Sequence, residues 1–144
     1  MRQDSLAQRV APFFGLLYIT IGIVGFFVTG FDNFVQNTNE SLIGFSINPM
    51  HNLVHLLIGI FLIVMATRPS VPVAEGAVLG VGLFYVTAFV IGAVARDNLT
   101  IISMYGYGDL ENFNHLVNGV LLLVLGLIST ASTASREKRS GVPA

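Results

Sequence analysis

The sequence predicts an all-α integral membrane protein, a four-helix bundle built from two tandem helical hairpins. Hydrophobic residues make up 53% of the 144 residues and charged residues only 10%, against about 25% charged in an ordinary soluble domain. The few charges divide the chain into four long uncharged runs, each long enough for a helix to cross the roughly 30 Å of bilayer hydrocarbon. A repeat that pairs these runs two by two predicts the hairpins.

The four uncharged runs give the predicted helices in order. Their flanking charges are Arg9 and Asp32, Glu40 and Arg68, Glu75 and Arg96, and Glu111 and Arg136, which leave 22, 27, 20 and 24 uncharged residues. Backbone N–H and C=O groups inside lipid find no water, and a helix lets them form hydrogen bonds within one segment. Each run is therefore predicted to be a helix. We place the membrane spans at 12–30, 49–67, 76–95 and 112–132, with a cytoplasmic tail at 133–144.

Prolines predict where helices begin and end. Pro12 and Pro49 are expected in first turns, where the missing N–H is no loss. Asn48, directly before Pro49, is a favourable N-cap residue. The stretch 68–72 contains two prolines and is expected to end the second helix in a short, stiff turn.

The basic residues predict one orientation in the membrane. Six of the seven Lys and Arg residues lie in the N-terminal segment, the middle loop and the tail, and the two other loops share one. Because loops rich in Lys and Arg stay on the cytoplasmic side, both termini are expected there. The predicted location is the plasma membrane, which is the inner membrane in a bacterium.

The chain also repeats itself. The pattern N-x-x-H-L-x-x-G occurs at 52–59 and again at 112–119, an offset of 60. The stretch 15–20 resembles 82–87 at an offset of 67. We therefore expect an internal repeat of about 10–67 and 77–132, in which both copies point the same way.

Small residues recur at spacings typical of helix packing in lipid. The positions are Gly15, Gly22 and Thr29 on the first predicted helix, Gly59 and Ala66 on the second, Gly119 and Gly126 on the fourth, and Gly76 with Gly80 on the third. We expect them to mark contacts between helices of the same chain.

Polar side chains cluster where the second and fourth predicted helices begin. His51 and His55 are four residues apart, as are Glu111 and His115, so each pair shares one helix face. The amides of Asn52, Asn112, Asn114 and Asn118 lie on the same two helices.

Three hypotheses explain this cluster. In the first, Asn52, His55, Asn112, His115 and Asn118 tie the helices together across the two halves, and the protein is an accessory or scaffold subunit without catalysis or cofactor. In the second, the protein is a membrane redox protein that binds a metal ion through His51, His55, Glu111 and His115, or a b-type haem through His55 and His115.

The third hypothesis is the handling of protons or small solutes, since histidine exchanges a proton readily near neutral pH. It needs polar groups on the cytoplasmic side, and no Asp, Glu, Lys or Arg is predicted in that half of any helix. Thr20, Thr87 and Tyr85 alone make a poor relay. Tyr18 and Tyr85 are expected as packed or interfacial aromatic residues, and a role in a pocket is the alternative.

Other function classes find no support in the sequence. A net charge of −1 offers no basic surface, so nucleic acid is not an expected partner. The chain has no cysteine, which excludes disulfides and thiolate sites. It carries no P-loop or dinucleotide fingerprint, and no enzymatic activity is expected. The expected partners are the lipid bilayer and a homo-oligomer or larger membrane complex.

One stretch of the second predicted helix resembles a known family. Asn48, Pro49, His51, Asn52, His55 and Gly59 form an N-P-x-H-N-x-x-H-x-x-x-G motif. This motif is similar to that of small four-span bacterial membrane proteins known only as a domain of unknown function, and the resemblance extends over about 13–128. It implies four helices in a bacterial inner membrane, and it implies no activity.

Overall fold

The computed structural model describes residues 4–68, 70–95, 100–102 and 110–141. Its helices are α1 (Leu6–Thr29), α2 (Pro49–Ala66), α3 (Val71–Val94) and α4 (Leu110–Ser140), and its strands are β1 (Ser41–Leu42) and β2 (Phe45–Ser46). The strands form a small hairpin between α1 and α2, and a 3₁₀ turn at Thr100–Ile102 lies before α4. All four α-helices are long and apolar enough to cross a membrane. The predicted all-α membrane bundle is confirmed.

The helices pack as two hairpins. α1 packs mainly on α2, and α3 mainly on α4. We use the name loop end for the end where α1 and α3 finish and α2 and α4 begin, and terminus end for the opposite end, where α1 begins and α2 leads into α3. Between the hairpins lies a core that includes Phe14, Tyr18, Leu62, Val78 and Leu122.

Glycines allow the two helices of each hairpin to approach closely. A Cβ atom at Gly15 would lie 2.8 Å from the carbonyl oxygen of Gly59, and one at Gly82 would lie 3.1 Å from that of Gly119. The Gly82 Cβ atom would also lie 2.9 Å from the Leu123 amide nitrogen, so at both glycines a side chain would force the backbones apart. In contrast, Gly76 and Gly80 face open space in the described part of the chain, so they do not mark a contact within it.

Most of each helix surface faces outward. Only 22–39% of the most apolar window of each span is buried inside the bundle. Large apolar side chains such as Phe13, Phe27 and Leu127 are exposed. An apolar surface of this extent needs lipid as its solvent.

The observed helix starts correct one prediction. Pro12 lies inside α1, because the helix already begins after Ser5, which caps it. Ser5 and Gln8 form a capping box, in which each side chain bonds the backbone N–H of the other residue. Pro49 is in the first turn of α2 with Asn48 as its N-cap, as predicted.

Candidate metal centre

The N-terminus of α2 places two histidines inside the bundle. The Asn48 side chain accepts a hydrogen bond from the His51 amide at 2.8 Å. Its amide group donates to the carbonyl oxygens of Gln36 at 3.1 Å and Thr100 at 2.9 Å, which belong to the segments before α2 and α4. One side chain thus fixes the start of α2 relative to both segments.

Three side chains converge beside this helix start. His51 Nε2 lies 3.0 Å from His55 Nε2 and 2.9 Å from Glu111 Oε1. The ligand atoms of these three residues all lie within 4.8 Å of one another. All three residues are buried, with exposures of 3%, 7% and 2%. The contact between His51 and Glu111 joins α2 to α4, which belong to different hairpins.

The other ring nitrogen of each histidine has a partner of its own. His51 Nδ1 lies 3.0 Å from the carbonyl oxygen of Ile102, and His55 Nδ1 lies 3.2 Å from the hydroxyl of Tyr85. Such contacts fix the ring orientation of a histidine and leave the opposite nitrogen to bind a metal. Both Nε2 atoms therefore face the shared centre.

The cluster needs one more positive charge. A carbonyl oxygen can only accept, so Nδ1 of His51 carries a hydrogen, and a neutral His51 presents a lone pair at Nε2. That lone pair faces the carboxylate oxygen of Glu111 at 2.9 Å. Two acceptors this close repel each other unless a proton or a metal ion lies between them.

His115 lies next to this group. Its ring centre is 5.9 Å from that of His51 and 5.5 Å from that of Tyr85. It is buried, and its Nδ1 atom has no hydrogen-bond partner among the described residues. Of the four predicted metal ligands, the structure brings together His51, His55 and Glu111, with His115 packed against the edge of the group.

Two of the predicted tethering amides, Asn52 and Asn112, contact the other helix of their own hairpin. Asn52 donates to the hydroxyl of Thr29 on α1 at 2.9 Å. Asn112 faces the Phe89 carbonyl at 3.2 Å and the Ala93 amide at 3.3 Å, both on α3, when its amide is oriented to satisfy both groups. These two amides join helices within a hairpin rather than across the halves, because each points at its own close-packed neighbour.

Asn118 makes a bond between the hairpins. It accepts from the hydroxyl of Tyr18 on α1 at 3.0 Å, and its amide group donates to Asn114 Oδ1 at 2.9 Å. Tyr18 and Tyr85 are both buried, with ring centres 5.5 Å apart. Both tyrosines are packed in the core, and both also border a cavity of about 170 Å³.

The structure also shows a buried carboxylate that sequence reasoning missed. Glu75 is only 6% exposed, and its Oε1 accepts from Ser129 and Thr133, each at 2.8 Å. Ser129 in turn accepts from the Ala7 amide in the first turn of α1 at 3.0 Å. The expectation that no acidic or basic residue lies in the half of a helix next to the terminus end is wrong. α3 begins at Val71 and therefore includes Glu75. Pro72 in its first turn was the signal that could have shown it.

Four apolar helices and a buried polar cluster at the loop end of the bundle make this chain a small multi-pass integral membrane protein.

A family model described as "Domain of unknown function (DUF4383)" matches residues 8–128, so the chain belongs to this family. The match confirms the predicted membership of a family known only as a domain of unknown function. No curated protein and no solved structure matches the chain.

Proposed function

We propose that this protein binds one divalent transition-metal ion between His51, His55 and Glu111. The observation that carries the proposal is the convergence of three ligand atoms: His51 Nε2 lies 3.0 Å from His55 Nε2 and 2.9 Å from Glu111 Oε1, and all three lie within 4.8 Å of one another. Two imidazoles and one carboxylate bind zinc in hydrolytic enzymes and ferrous iron in oxygenases, and both ions fit this set. A bound ion also supplies the positive charge that the cluster needs.

The separations between these atoms are close to those of a loaded site. Ligands at about 2.05 Å from a tetrahedral ion lie about 3.3 Å apart. The two separations from His51 Nε2, 3.0 and 2.9 Å, are a few tenths of an ångström shorter, and the third, between His55 and Glu111, is within 4.8 Å. The residues that orient the histidines, Ile102 and Tyr85, support the same arrangement.

The haem alternative finds no room. The ring of Tyr85 packs against His55 and His115, with distances between ring centres of 6.3 and 5.5 Å. A porphyrin between the two imidazoles would need the space that this ring fills. The cavity beside His55 measures about 170 Å³, close to the ~150 Å³ that accommodates benzene. We therefore do not propose a haem.

Proton or solute transport is supported less well. Glu75 at the terminus end and Tyr18 halfway along α1 are separated by apolar core residues, which include Leu62, Val78, Val81 and Leu122. A proton path needs polar groups or water along its length. Among the described residues, no buried polar side chain lies between these two points.

Metal content of the purified protein tests the proposal. The chain is purified in detergent, loaded separately with zinc and, without oxygen, with ferrous iron, freed of unbound metal and analysed by mass spectrometry. We expect about one ion per chain, and at least about a tenfold lower content in His51→Ala and Glu111→Gln. His115→Gln is the matched control and should keep its metal. A folded wild-type chain that retains neither metal would contradict the proposal.

The second candidate function is the accessory or scaffold subunit without catalysis. The bond between Tyr18 and Asn118 favours it, since this bond holds the hairpins together without any ligand. In that case a proton takes the place of the metal, and His51 and Glu111 form an ion pair between α2 and α4. Copurification of the metal-free chain with one defined membrane complex would support this function, and isolation as a lone chain would oppose it.

We also propose that both termini lie in the cytoplasm and that the membrane is the bacterial inner membrane. The proposal rests on the distribution of Lys and Arg. The loop end and its polar cluster would then face the outer side. A reporter enzyme active only outside the cytoplasm should be inactive when fused after residue 144 and active when inserted near Asn37. The opposite result would reverse the orientation.

We further propose that the two hairpins arose by duplication. Equivalent glycines make equivalent contacts, since Gly15 meets Gly59 as Gly82 meets Gly119. The amides of Asn52 and Asn112 likewise each point at the partner helix of their own hairpin. These pairs keep the offsets of 67 and 60 that the sequence repeat shows.

A further inference from the structure

A cavity of about 170 Å³ lies directly beside the proposed metal centre, under the β-hairpin. One side is aliphatic and includes Leu17, Ile21 and Ile47. The other side is polar and includes Glu111 and Asn118. A cavity with one apolar and one polar side suits a small molecule that carries a single polar group.

The cavity borders two of the three proposed metal ligands, His55 and Glu111. An ion with three protein ligands keeps an open coordination position, as in catalytic zinc sites. An ion bound here therefore has a neighbouring space in which an external ligand can reach it.

The β-hairpin covers the cavity with a strained turn. Ile43 and Gly44 form its two-residue tip with φ angles of +56° and +85°. This left-handed conformation suits Asn or Gly, and it is costly for a β-branched residue such as isoleucine. Ile43 is nevertheless 87% exposed and borders the cavity, as does the exposed Leu17. The cavity thus reaches the surface between the hairpin tip and α1.

We propose that this cavity binds a small ring-shaped molecule of the size of phenol, whose polar atom reaches the ion at His55 and Glu111. This inference rests on the proposed metal site. The cavity volume sets the size, because a cavity of about 150 Å³ accommodates one benzene ring. The aliphatic side packs on the ring, and the strained tip at Ile43 borders the entrance.

Visible absorption of the cobalt-loaded protein tests this inference. Co²⁺ replaces zinc in such sites and reports its coordination through its absorption bands. The full chain is loaded with Co²⁺ in detergent and titrated with phenol. We expect a saturable change in the cobalt bands with phenol and no saturable change with 1-naphthol, whose second ring exceeds the cavity.

Two variants of α1 provide the control. Ile21 lines the cavity and is not one of the proposed metal ligands. Ile21→Trp should therefore fill the cavity and weaken phenol binding at least about tenfold. Ile23→Trp lies on the same helix at an exposed position outside the cavity and should bind phenol like the wild type. If Co²⁺ binds but phenol causes no saturable change, or if both variants bind phenol equally, the cavity proposal is wrong and the metal site stands. If Co²⁺ does not bind, the metal site is wrong as well.

Discussion

At the scale of single residues, His51 depends on the contacts of both its ring nitrogens. The Ile102 carbonyl fixes the hydrogen on Nδ1, and this leaves Nε2 to face Glu111 and His55. A histidine without that carbonyl could present either nitrogen to the cluster. Ile102, in the 3₁₀ turn before α4, therefore contributes its backbone carbonyl to the site, which no side-chain motif records.

Tyr85 should act on metal affinity through His55. Tyr85→Phe removes the hydroxyl that lies 3.2 Å from His55 Nδ1, and loss of such an orienting partner costs about 10–100-fold in metal affinity. Tyr18→Phe is the matched control, because the Tyr18 hydroxyl bonds Asn118 instead. Competition with a chelator measures both affinities. Equal affinities in the two variants would show that Tyr85 does not orient a metal ligand.

Glu75 should stabilise the terminus end of the bundle. Glu75→Ala leaves the hydroxyls of Ser129 and Thr133 without their acceptor, and a buried polar group that loses its partner costs about 1–3 kcal/mol. Glu75→Gln keeps an accepting oxygen and should recover much of that loss. Unfolding in detergent mixtures measures the free energy. If Glu75→Gln is as unstable as Glu75→Ala, the hydrogen bonds are not the source of the stability.

At the scale of elements, close helix contacts depend on particular glycines. Gly82→Ala places a Cβ atom 2.9 Å from the Leu123 amide nitrogen and should force α3 away from α4, at a cost of about 1–3 kcal/mol. Gly80→Ala on the same helix meets no atom within 4 Å and should leave the stability unchanged or slightly higher. The same unfolding measurement compares them. Equal stability would mean that the α3–α4 contact tolerates wider spacing.

The starts of helices were harder to predict than their existence. Uncharged runs show where a helix can cross lipid, but α1 and α3 both begin several residues before the runs that predict them. Ser5 starts α1 before Pro12, and Val71 starts α3 before Glu75. An uncharged run marks the membrane span and not the full length of the helix. The run that begins after Glu75 therefore predicts this residue outside α3, although α3 includes it.

At the scale of the whole molecule, the sequence predicts the bundle because lipid allows few solutions for an apolar chain. It also predicts the buried polar cluster at the loop end, since His51, His55, Glu111 and His115 all lie near helix starts, but it does not predict the buried Glu75 at the terminus end. It could not predict that His51, rather than His55, contacts Glu111. That pairing depends on how far α2 and α4 are shifted along each other, which the periodicity of a single helix does not contain.

X-ray absorption at the edge of the metal bound to the purified, loaded chain identifies the ligands of the proposed centre. We expect two imidazole nitrogens and at least one oxygen at about 2.0–2.2 Å, with the imidazole signal reduced in His55→Ala. A shell of oxygen atoms only, or a spectrum unchanged by His55→Ala, would contradict a metal centre at His51, His55 and Glu111.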